Sequence, residues 1–347
     1  MAHCKGTILI TGANGGLGHQ LVSKIVSTPE FVGYYGIYAV RDTKAAPALR
    51  SALSGSTATH HHTVESLDLS RLSTVRVFAE AINARVLAGE IPPIRALILN
   101  AGYNDMGKES LTEDGFDMSF ASNYLGHWLL TLLLLQSMNR ECGRVVVLGS
   151  ITHDVNHPMN KITGYYDDEE WKSFFKGDES VDAIARGTWA TNASAKPDIA
   201  GGRRYGAAKI CVVMMIGELQ RRLDADPILS GISIVGINPG TMYTGIIRHG
   251  DWFTKLFLFP VIMLPLSYLM ALFQPNPAIR TASKSASDLL KAAFEVDPKF
   301  RGAYLNGTEL TSISREAADA EKSRMVWKHS VRYTHLTNED TMLVSCA

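Results

Sequence analysis

The chain has 347 residues, of which 46% are hydrophobic and 20% are charged, so it can bury the core of one large domain or two small ones. Lys and Arg total 34, as do Asp and Glu, and this balance argues against a nucleic-acid-binding protein. Four cysteines show neither a CxxC pair nor metal-ligand spacing, which indicates reduced thiols in a cytoplasmic protein: Cys4, Cys142, Cys211 and Cys346.

Short apolar runs alternate with helical patterns from the N-terminus onward. Six strands are predicted within GTILITG, GYYGIYAVRD, TVESLDLS, IRALILNAG, GRVVVLGS and GISIVGINPG. Helices are predicted at GLGHQLVSKIVS, LSTVRVFAEAINARVLAG and GFDMSFASNYLGHWLLTLLLLQSM. Strands without polar alternation that are separated by helices predict a parallel sheet covered on both faces, a doubly wound α/β fold of the Rossmann type, here as one domain over residues 1–347. The first strand begins too early to leave room for a signal peptide.

Two segments interrupt this alternation. Residues of about 154–202 are polar and predict an insertion before the helix that contains YGAAK. Residues of about 246–280 predict a substrate lid, whose apolar part, 252–273, is long enough to suggest a membrane span. Lys255, Pro260 and Pro265 interrupt the apolar run, which favours the lid and leaves a peripheral membrane contact as the alternative. A C-terminal tail of about 315–347 follows.

The sequence TGANGGLG directly follows the first strand and opens a helix. Glycines permit the tight turn and the close approach of a pyrophosphate, and the helix N-terminus offers free N–H groups to phosphates. The pattern predicts a dinucleotide-binding loop that includes Gly12, Asn14, Gly16, Leu17 and Gly18.

Residues after the next strands extend the predicted cofactor site. The second strand ends in Arg41, followed by Asp42, and a guanidinium suits a 2′-phosphate, so NADPH is favoured over NADH. Asp68 follows the third strand, where it is placed to contact adenine. Small residues after the fourth strand let the backbone lie against the cofactor: Asn100, Ala101 and Gly102.

Three residues indicate the chemistry of the predicted site: Ser150, Tyr205 and Lys209. Ser150 ends the fifth strand, at the sheet edge where open α/β sheets bind ligands, and its hydroxyl can donate to a substrate oxygen. Tyr205 and Lys209 are four apart on a predicted helix and share a face. We expect the ammonium to lower the pKa of the phenol, so that Tyr205 can exchange a proton with a carbonyl or alcohol oxygen.

These motifs together resemble the short-chain dehydrogenase/reductase family over roughly residues 6–312. The matching stretches are TGANGGLG, NAG, SFASNYLGHWLLTLLL, VVVLGS, YGAAK and NPGTMYT. The stretch around Asn123 is most similar to the retinol dehydrogenase and protochlorophyllide reductase branch. The insertion and the tail resemble fungal members, several of which act in secondary metabolism.

The resemblance implies a role for each matching residue. Tyr205 would be the general acid/base, Lys209 would lower its pKa and hold the nicotinamide ribose, and Ser150 would orient the substrate oxygen. Asn123 would support Lys209 through a water. The stretch PGTMYT would contact the nicotinamide, through Pro239, Gly240 and Thr244.

The chain also departs from the family pattern. Ser150 and Tyr205 are 55 positions apart (205 − 150), whereas most relatives have a short loop there. His153 and His157 follow Ser150, but we assign them no role. The expected function is NADPH-dependent reduction of a carbonyl, or the reverse oxidation, on a small apolar substrate. Reduction of a carbon–carbon double bond and a non-catalytic dinucleotide sensor remain alternatives. Family members often form dimers or tetramers.

Overall fold

The structure is a computed structural model that describes residues 5–55, 60–192, 196–242, 264–271, 273–294, 297 and 300–345. Within these residues a single sheet has the strand order β3-β2-β1-β4-β5-β6-β7-β8. Its strands are β1 (Thr7–Thr11), β2 (Tyr35–Val40), β3 (His62–Ser66), β4 (Ile94–Leu99), β5 (Arg144–Leu148), β6 (Ser233–Asn238), β7 (Tyr304–Asn306) and β8 (Glu309–Leu310). The first seven run parallel and β8 is antiparallel to β7.

The predicted α/β fold and its first six strands are confirmed. Successive residues of β1 point to opposite sides of the sheet and are all fully buried: Leu9 joins one core, and Ile8 and Ile10 join the other. Two buried faces explain why these strands show no polar alternation. The prediction missed β7 and β8, because three and two residues are too few to show a pattern.

Helices cover both faces of the sheet. They are α1 (Gly16–Ser27), α2 (Pro29–Val32), α3 (Pro47–Ser54), α4 (Leu72–Leu87), α5 (Met118–Phe120), α6 (Gly126–Leu134), α7 (Pro158–Thr163), α8 (Asp178–Ala185), α9 (Pro197–Ala225), α10 (Leu264–Ala271), α11 (Ala282–Phe294) and α12 (Ala320–Thr334). Helices α1, α3 and α11 share one core, while α4, α6, α9 and α12 share the other. Between α5 and α6 the helix continues as a π-helical stretch, Ala121–Leu125, that contains Asn123.

The insertion is more ordered and more apolar than its polar sequence suggested. It contains α7 and α8, and it buries Tyr166, Trp171, Phe174, Phe175, Val181 and Ile184. Its predicted C-terminal boundary was wrong, because α9 already begins at Pro197. Residues 197–202 are therefore the first turns of the helix that carries Tyr205.

The predicted lid lies largely outside the described residues, which omit 243–263 and 272. Its described helix, α10, exposes apolar side chains: Leu266, Tyr268 and Leu269. In the described parts of the chain, no helix is long and apolar enough to cross a membrane. The C-terminal tail contains α12, which packs against α9 and buries Val326 and Trp327.

Candidate active site

The carboxyl edge of the sheet collects residues from five strands. Gly12 follows β1, Arg41 follows β2, Asn100 follows β4, Ser150 lies two residues beyond β5, and Pro239 follows β6. Parallel strands end at the same edge, so residues that are far apart in sequence become neighbours there.

The glycine loop forms a cradle of backbone. Gly12 has φ +67°, and a Cβ there would lie 2.8 Å from the Ala101 Cα atom. A Cβ at Gly18 would overlap the Gly12 carbonyl oxygen. Helix α1 begins at Gly16 without a side-chain cap, and Leu17 is buried beneath it. The first turn can therefore offer its N–H groups to an anion, and the loop fits the pyrophosphate of a dinucleotide.

The segment after β4 is bonded to this loop. The Asn100 amide donates to the Thr11 and Gly12 carbonyls at 2.8 and 3.2 Å, and its Oδ1 is buried without a partner among the described residues. The Ala101 N–H donates to the Thr11 hydroxyl at 3.0 Å. Gly102 is exposed beside them. An unpaired, buried acceptor next to the glycine loop supports a ligand-binding role for this edge.

The remaining predicted cofactor residues differ in whether their side chains already make hydrogen bonds within the protein. Asn14 Oδ1 accepts from the Leu49 N–H at 3.1 Å, and Asp68 accepts from the N–H and hydroxyl of Ser70 at 3.0 and 2.7 Å. These two side chains therefore also hold turns. The Arg41 side chain is exposed at the end of β2, where it is free to meet an anion from solvent.

The β6 end contributes backbone rather than side chains. Pro239 is buried and its carbonyl accepts from the Ser285 hydroxyl at 2.7 Å, while Gly240 has φ +77° and packs against Arg280. Thr244, the third residue predicted here, lies outside the described residues, as do Cys4 and Cys346. Cys142 and Cys211 are free thiols.

Ser150 lies at the centre of the chemical end. Its Oγ accepts hydrogen bonds from the N–H and the hydroxyl of Thr152, at 3.2 and 3.0 Å. Its carbonyl lies 2.6 Å from His153 Nδ1, and His153 Nε2 accepts from the Ser314 N–H at 3.3 Å. His153 is buried and links the Ser150 backbone to the C-terminal tail, which is a structural contact. His157 instead caps α7.

Tyr205 and Lys209 share the predicted face of α9, but their electrostatic relation differs from the expectation. Burial raises the pKa of Tyr205 to about 12, against a hydrogen bond from Ser150 that lowers it. Burial lowers the pKa of Lys209 to about 7. The Lys209 amine donates to the Leu148 carbonyl at 2.8 Å and lies 5.5 Å from the centre of the Tyr205 ring. In the ligand-free chain desolvation outweighs any attraction between ammonium and phenolate, so the predicted lowering of the Tyr205 pKa is not seen.

Asn123 is buried within the π-helical stretch. Its amide donates to the Tyr103 and Ser119 carbonyls, both at 2.8 Å, and its Oδ1 accepts from the Tyr103 N–H at 3.0 Å. The Asn123 carbonyl lies 3.2 Å from His127 Nδ1, and His127 Nε2 lies 2.9 Å from the Thr11 hydroxyl. His127 therefore connects Asn123 to the strand that ends in the glycine loop. Sequence reasoning missed His127, because it lies within a nearly continuous apolar run.

Two buried arginines, Arg203 and Arg204, directly precede Tyr205 and were not predicted as site residues. Arg203 donates to the Tyr165 carbonyl at 2.6 Å and lies 4.0 Å above the Trp171 ring, which attaches the insertion to α9. Arg204 donates to Asp105 at 2.7 Å and lies 3.7 Å from Asp117. The sequence RRY places both arginines beside Tyr205, but nothing local in it indicates that they are buried.

Glycines of α9 make room for the insertion. A Cβ at Gly202 would overlap the Tyr165 ring, and one at Gly206 would overlap the Tyr166 hydroxyl. The small residues beside Tyr205 thus let two aromatic rings of the insertion approach the helix.

A second tyrosine approaches the site from β7. The Tyr304 hydroxyl is buried against Gly149 and makes no hydrogen bond of good geometry within the described residues. Burial raises its pKa well above the ordinary value, and the nearby Tyr205 raises it further. Because β7 was not predicted, neither was this residue.

Comparison with known proteins places these features in context. The family model described as short chain dehydrogenase matches residues 6–165. A short-chain dehydrogenase of Talaromyces variabilis, iccH, is 43% identical over 98% of this chain and 98% of its own length. Retinol dehydrogenase 13 of Homo sapiens is 29% identical over 95% of this chain and 85% of its own. Protochlorophyllide reductase of Pisum sativum is 30% identical over 96% and 78%.

A solved structure shows the same fold. An NADPH-bound carbonyl reductase from chicken fatty liver matches with a TM-score of 0.54 and 14% identity, over 89% of this chain and 99% of that one.

Proposed function

The chain belongs to the short-chain dehydrogenase/reductase family of oxidoreductases, and from that premise we propose that it reduces a carbonyl group of a small apolar molecule with NADPH, or oxidises the corresponding alcohol. One observation carries the proposal. Ser150 and Tyr205 lie together at the carboxyl edge of the sheet, where a hydrogen bond from Ser150 acts to lower the pKa of Tyr205, beside the buried Lys209 and next to a loop that fits a dinucleotide.

The protonation state of Tyr205 suits reduction. With a pKa of about 12, the phenol is neutral at physiological pH and can donate its proton to the oxygen of a carbonyl as that oxygen becomes an alkoxide. Ser150 can donate a hydrogen bond to the same oxygen and so stabilise the developing charge. When bound, the nicotinamide cofactor supplies the hydride. Oxidation of an alcohol would need the phenolate, so we expect it to be favoured by alkaline pH.

Lys209 supplies a charge that depends on its surroundings. With a pKa of about 7 the amine is partly neutral in the ligand-free chain. A negative charge brought close to it would favour the ammonium, which in turn would favour the Tyr205 phenolate.

The preference for NADPH rests on Arg41. The exposed guanidinium at the end of β2 stands where an acidic residue would instead bond a ribose hydroxyl, and it can bind a 2′-phosphate with two hydrogen bonds. In the next residue, Asp42, one carboxylate oxygen already accepts from the Lys44 and Ala45 N–H groups at 2.8 and 3.3 Å, so this side chain helps to hold the loop after β2.

Two observations support an apolar substrate. The lid helix α10 presents Leu266, Tyr268 and Leu269 to solvent. The similarity to retinol dehydrogenase 13, whose name denotes an apolar alcohol as substrate, points in the same direction.

Reduction of a carbon–carbon double bond is a second candidate, because the 30% identity to protochlorophyllide reductase extends over 96% of this chain. The same phenol can protonate carbon after hydride transfer. Ser150 favours the carbonyl reaction, since its hydroxyl can stabilise the negative charge that develops on a carbonyl oxygen but has no such role at the carbon of a double bond.

A substrate panel tests the proposal. Purified protein with NADPH is assayed against apolar ketones, aldehydes, enones and quinones, beside Tyr205→Phe. We expect turnover of ketones or aldehydes and a loss of about 10²- to 10⁴-fold in kcat in the variant, with NADPH binding retained. Turnover of enones alone would support the second candidate. NADPH binding without any turnover would favour a sensor, and a fully active Tyr205→Phe would refute the mechanism.

A further inference from the structure

Thr152 makes two hydrogen bonds to the same atom of Ser150. The Thr152 N–H donates to Ser150 Oγ at 3.2 Å, and the Thr152 hydroxyl donates to it at 3.0 Å. Both donors lie within the short 3₁₀ turn Ile151–His153 that Ser150 caps.

These bonds restrict what Ser150 can do with its own proton. A serine hydroxyl has one donor and two acceptor lone pairs. With both lone pairs occupied by Thr152, the Ser150 O–H is left to donate, and Tyr205 is the neighbour whose pKa a hydrogen bond from Ser150 acts to lower. A substrate oxygen that enters between the two residues would meet a hydroxyl already oriented as a donor.

Thr152 is itself held by the insertion. The Tyr166 hydroxyl donates to the Thr152 carbonyl at 3.0 Å, and the Tyr166 ring is fully buried against Phe174. Gly206 leaves the space that the Tyr166 hydroxyl occupies beside α9. The position of Thr152 therefore depends on a residue that the long segment between Ser150 and Tyr205 supplies.

We propose that Thr152 is a positioning residue, fixed by Tyr166 of the insertion, that commits Ser150 to donate a hydrogen bond to the substrate oxygen. The inference rests on the proposed carbonyl reduction at this site. It gives the insertion a defined part in that reaction.

Kinetics of Thr152→Val and Thr152→Ser test the proposal. Valine removes the hydroxyl donor and keeps the N–H, so we expect kcat for ketone reduction to fall by about three- to tenfold, with KM for NADPH unchanged. Serine restores the donor and should recover most of the rate. In alcohol oxidation the rise of the rate with pH, which reports ionisation of Tyr205, should move to higher pH in Thr152→Val, because a less committed Ser150 stabilises the Tyr205 phenolate less.

A matched control and a double variant separate positioning from general disturbance. Thr163→Val removes a hydroxyl that donates to the Asn160 carbonyl within the insertion, and it should leave kcat and the pH profile unchanged. Tyr166→Phe should lower kcat less than Thr152→Val, and the double variant should lose less than the product of the two effects. Independent, multiplying losses would contradict the coupling to the insertion.

An NMR measurement decides the inference without turnover. In protein labelled at tyrosine Cζ, the Tyr205 resonance is assigned by its absence in Tyr205→Phe, and it should move in Thr152→Val but not in Thr163→Val. An unmoved resonance would overturn the inference whatever the activity. Unchanged kinetics in Thr152→Val beside an inactive Tyr205→Phe would overturn it while leaving the proposed function intact. A wild type that reduces nothing in the panel would refute the proposed function, and the resonance would still report on the Ser150 hydrogen bond.

Discussion

The two ends of the site are built in different ways. The phosphate-binding part of the cofactor end is backbone from one contiguous stretch, residues 11–18, shaped by glycines and a helix N-terminus. The chemical end consists of side chains from β5, the insertion, α9 and the tail, and it buries the charged groups of Lys209, Arg203 and Arg204. A backbone cradle is a local property that needs only short-range sequence. A set of tuned side chains requires burial, which only the assembled fold provides.

This difference has an energetic counterpart. Burying a cation without a charged partner opposes folding, and among the described residues Lys209 donates to a carbonyl, whereas Arg204 has carboxylates beside it. The buried Lys209 therefore lowers the free energy of unfolding while it serves the reaction, a trade-off that is common in active sites. We therefore expect variants at the chemical end to lower activity without lowering stability. Variants at the cofactor end should lower cofactor affinity without lowering turnover.

Lys209→Met should have the largest effect. We expect kcat to fall about 10²- to 10⁴-fold, because the phenol loses the ammonium that favours its ionised form. Thermal stability should not fall. Because the folded pKa of about 7 lies below the ordinary 10.5, the unfolded chain binds more protons between these values, so this group makes stability rise with pH there. Thermal melts from pH 7 to 10 should show that rise weakened in the variant, and an unchanged pH slope would contradict the buried-amine interpretation.

Gly206→Ala should act on turnover alone. The added Cβ would overlap the Tyr166 hydroxyl, so the insertion must shift away from α9, and we expect kcat to fall about 100-fold with the dissociation constant for NADPH unchanged. Gly217→Ala is the matched control. It lies on the same helix with open space around it, and it should only stabilise the protein. A loss of NADPH affinity in Gly206→Ala as large as its loss of kcat would contradict the separation between the cofactor end and the chemical end.

Gly18→Ala should have the opposite pattern. Its Cβ would overlap the Gly12 carbonyl oxygen and lie 2.8 Å from the Ala13 Cα atom, so the loop must open. We expect NADPH affinity to fall about tenfold to 100-fold, with kcat largely kept at saturating cofactor. Fluorescence titration and saturation kinetics measure the two quantities. A variant that binds NADPH normally would show that the cradle tolerates a methyl group.

Arg41→Ala should have the smallest effect and should sharpen the cofactor end further. Loss of a charge-assisted contact to a 2′-phosphate should raise KM for NADPH about tenfold and leave KM for NADH nearly unchanged. Arg50→Ala removes another exposed arginine, on α3, and should change neither value. Equal changes for both cofactors would remove the basis for preferring NADPH.

Several features followed from the sequence alone because they are local. The glycine loop requires particular residues at adjacent positions, and six strands could be predicted from uninterrupted apolar runs. The spacing of Tyr205 and Lys209 fixed a shared helix face without further information. Their place at one sheet edge with Ser150 followed from the parallel order of the strands.

Other features depended on tertiary structure, because they arise from contacts between residues far apart in the chain. Nothing near His153 in sequence indicates that Ser314 meets it, and the polar composition of the insertion conceals that its aromatic rings pack on α9. The sign of the Tyr205 pKa shift was predicted wrongly, because spacing reveals a neighbouring charge but not the loss of solvent around both groups. The sequence determined that Ser150, Tyr205 and Lys209 meet at the site. Burial in the folded chain decided the protonation of Tyr205 and Lys209, and the contacts of Thr152 decided the direction in which Ser150 donates.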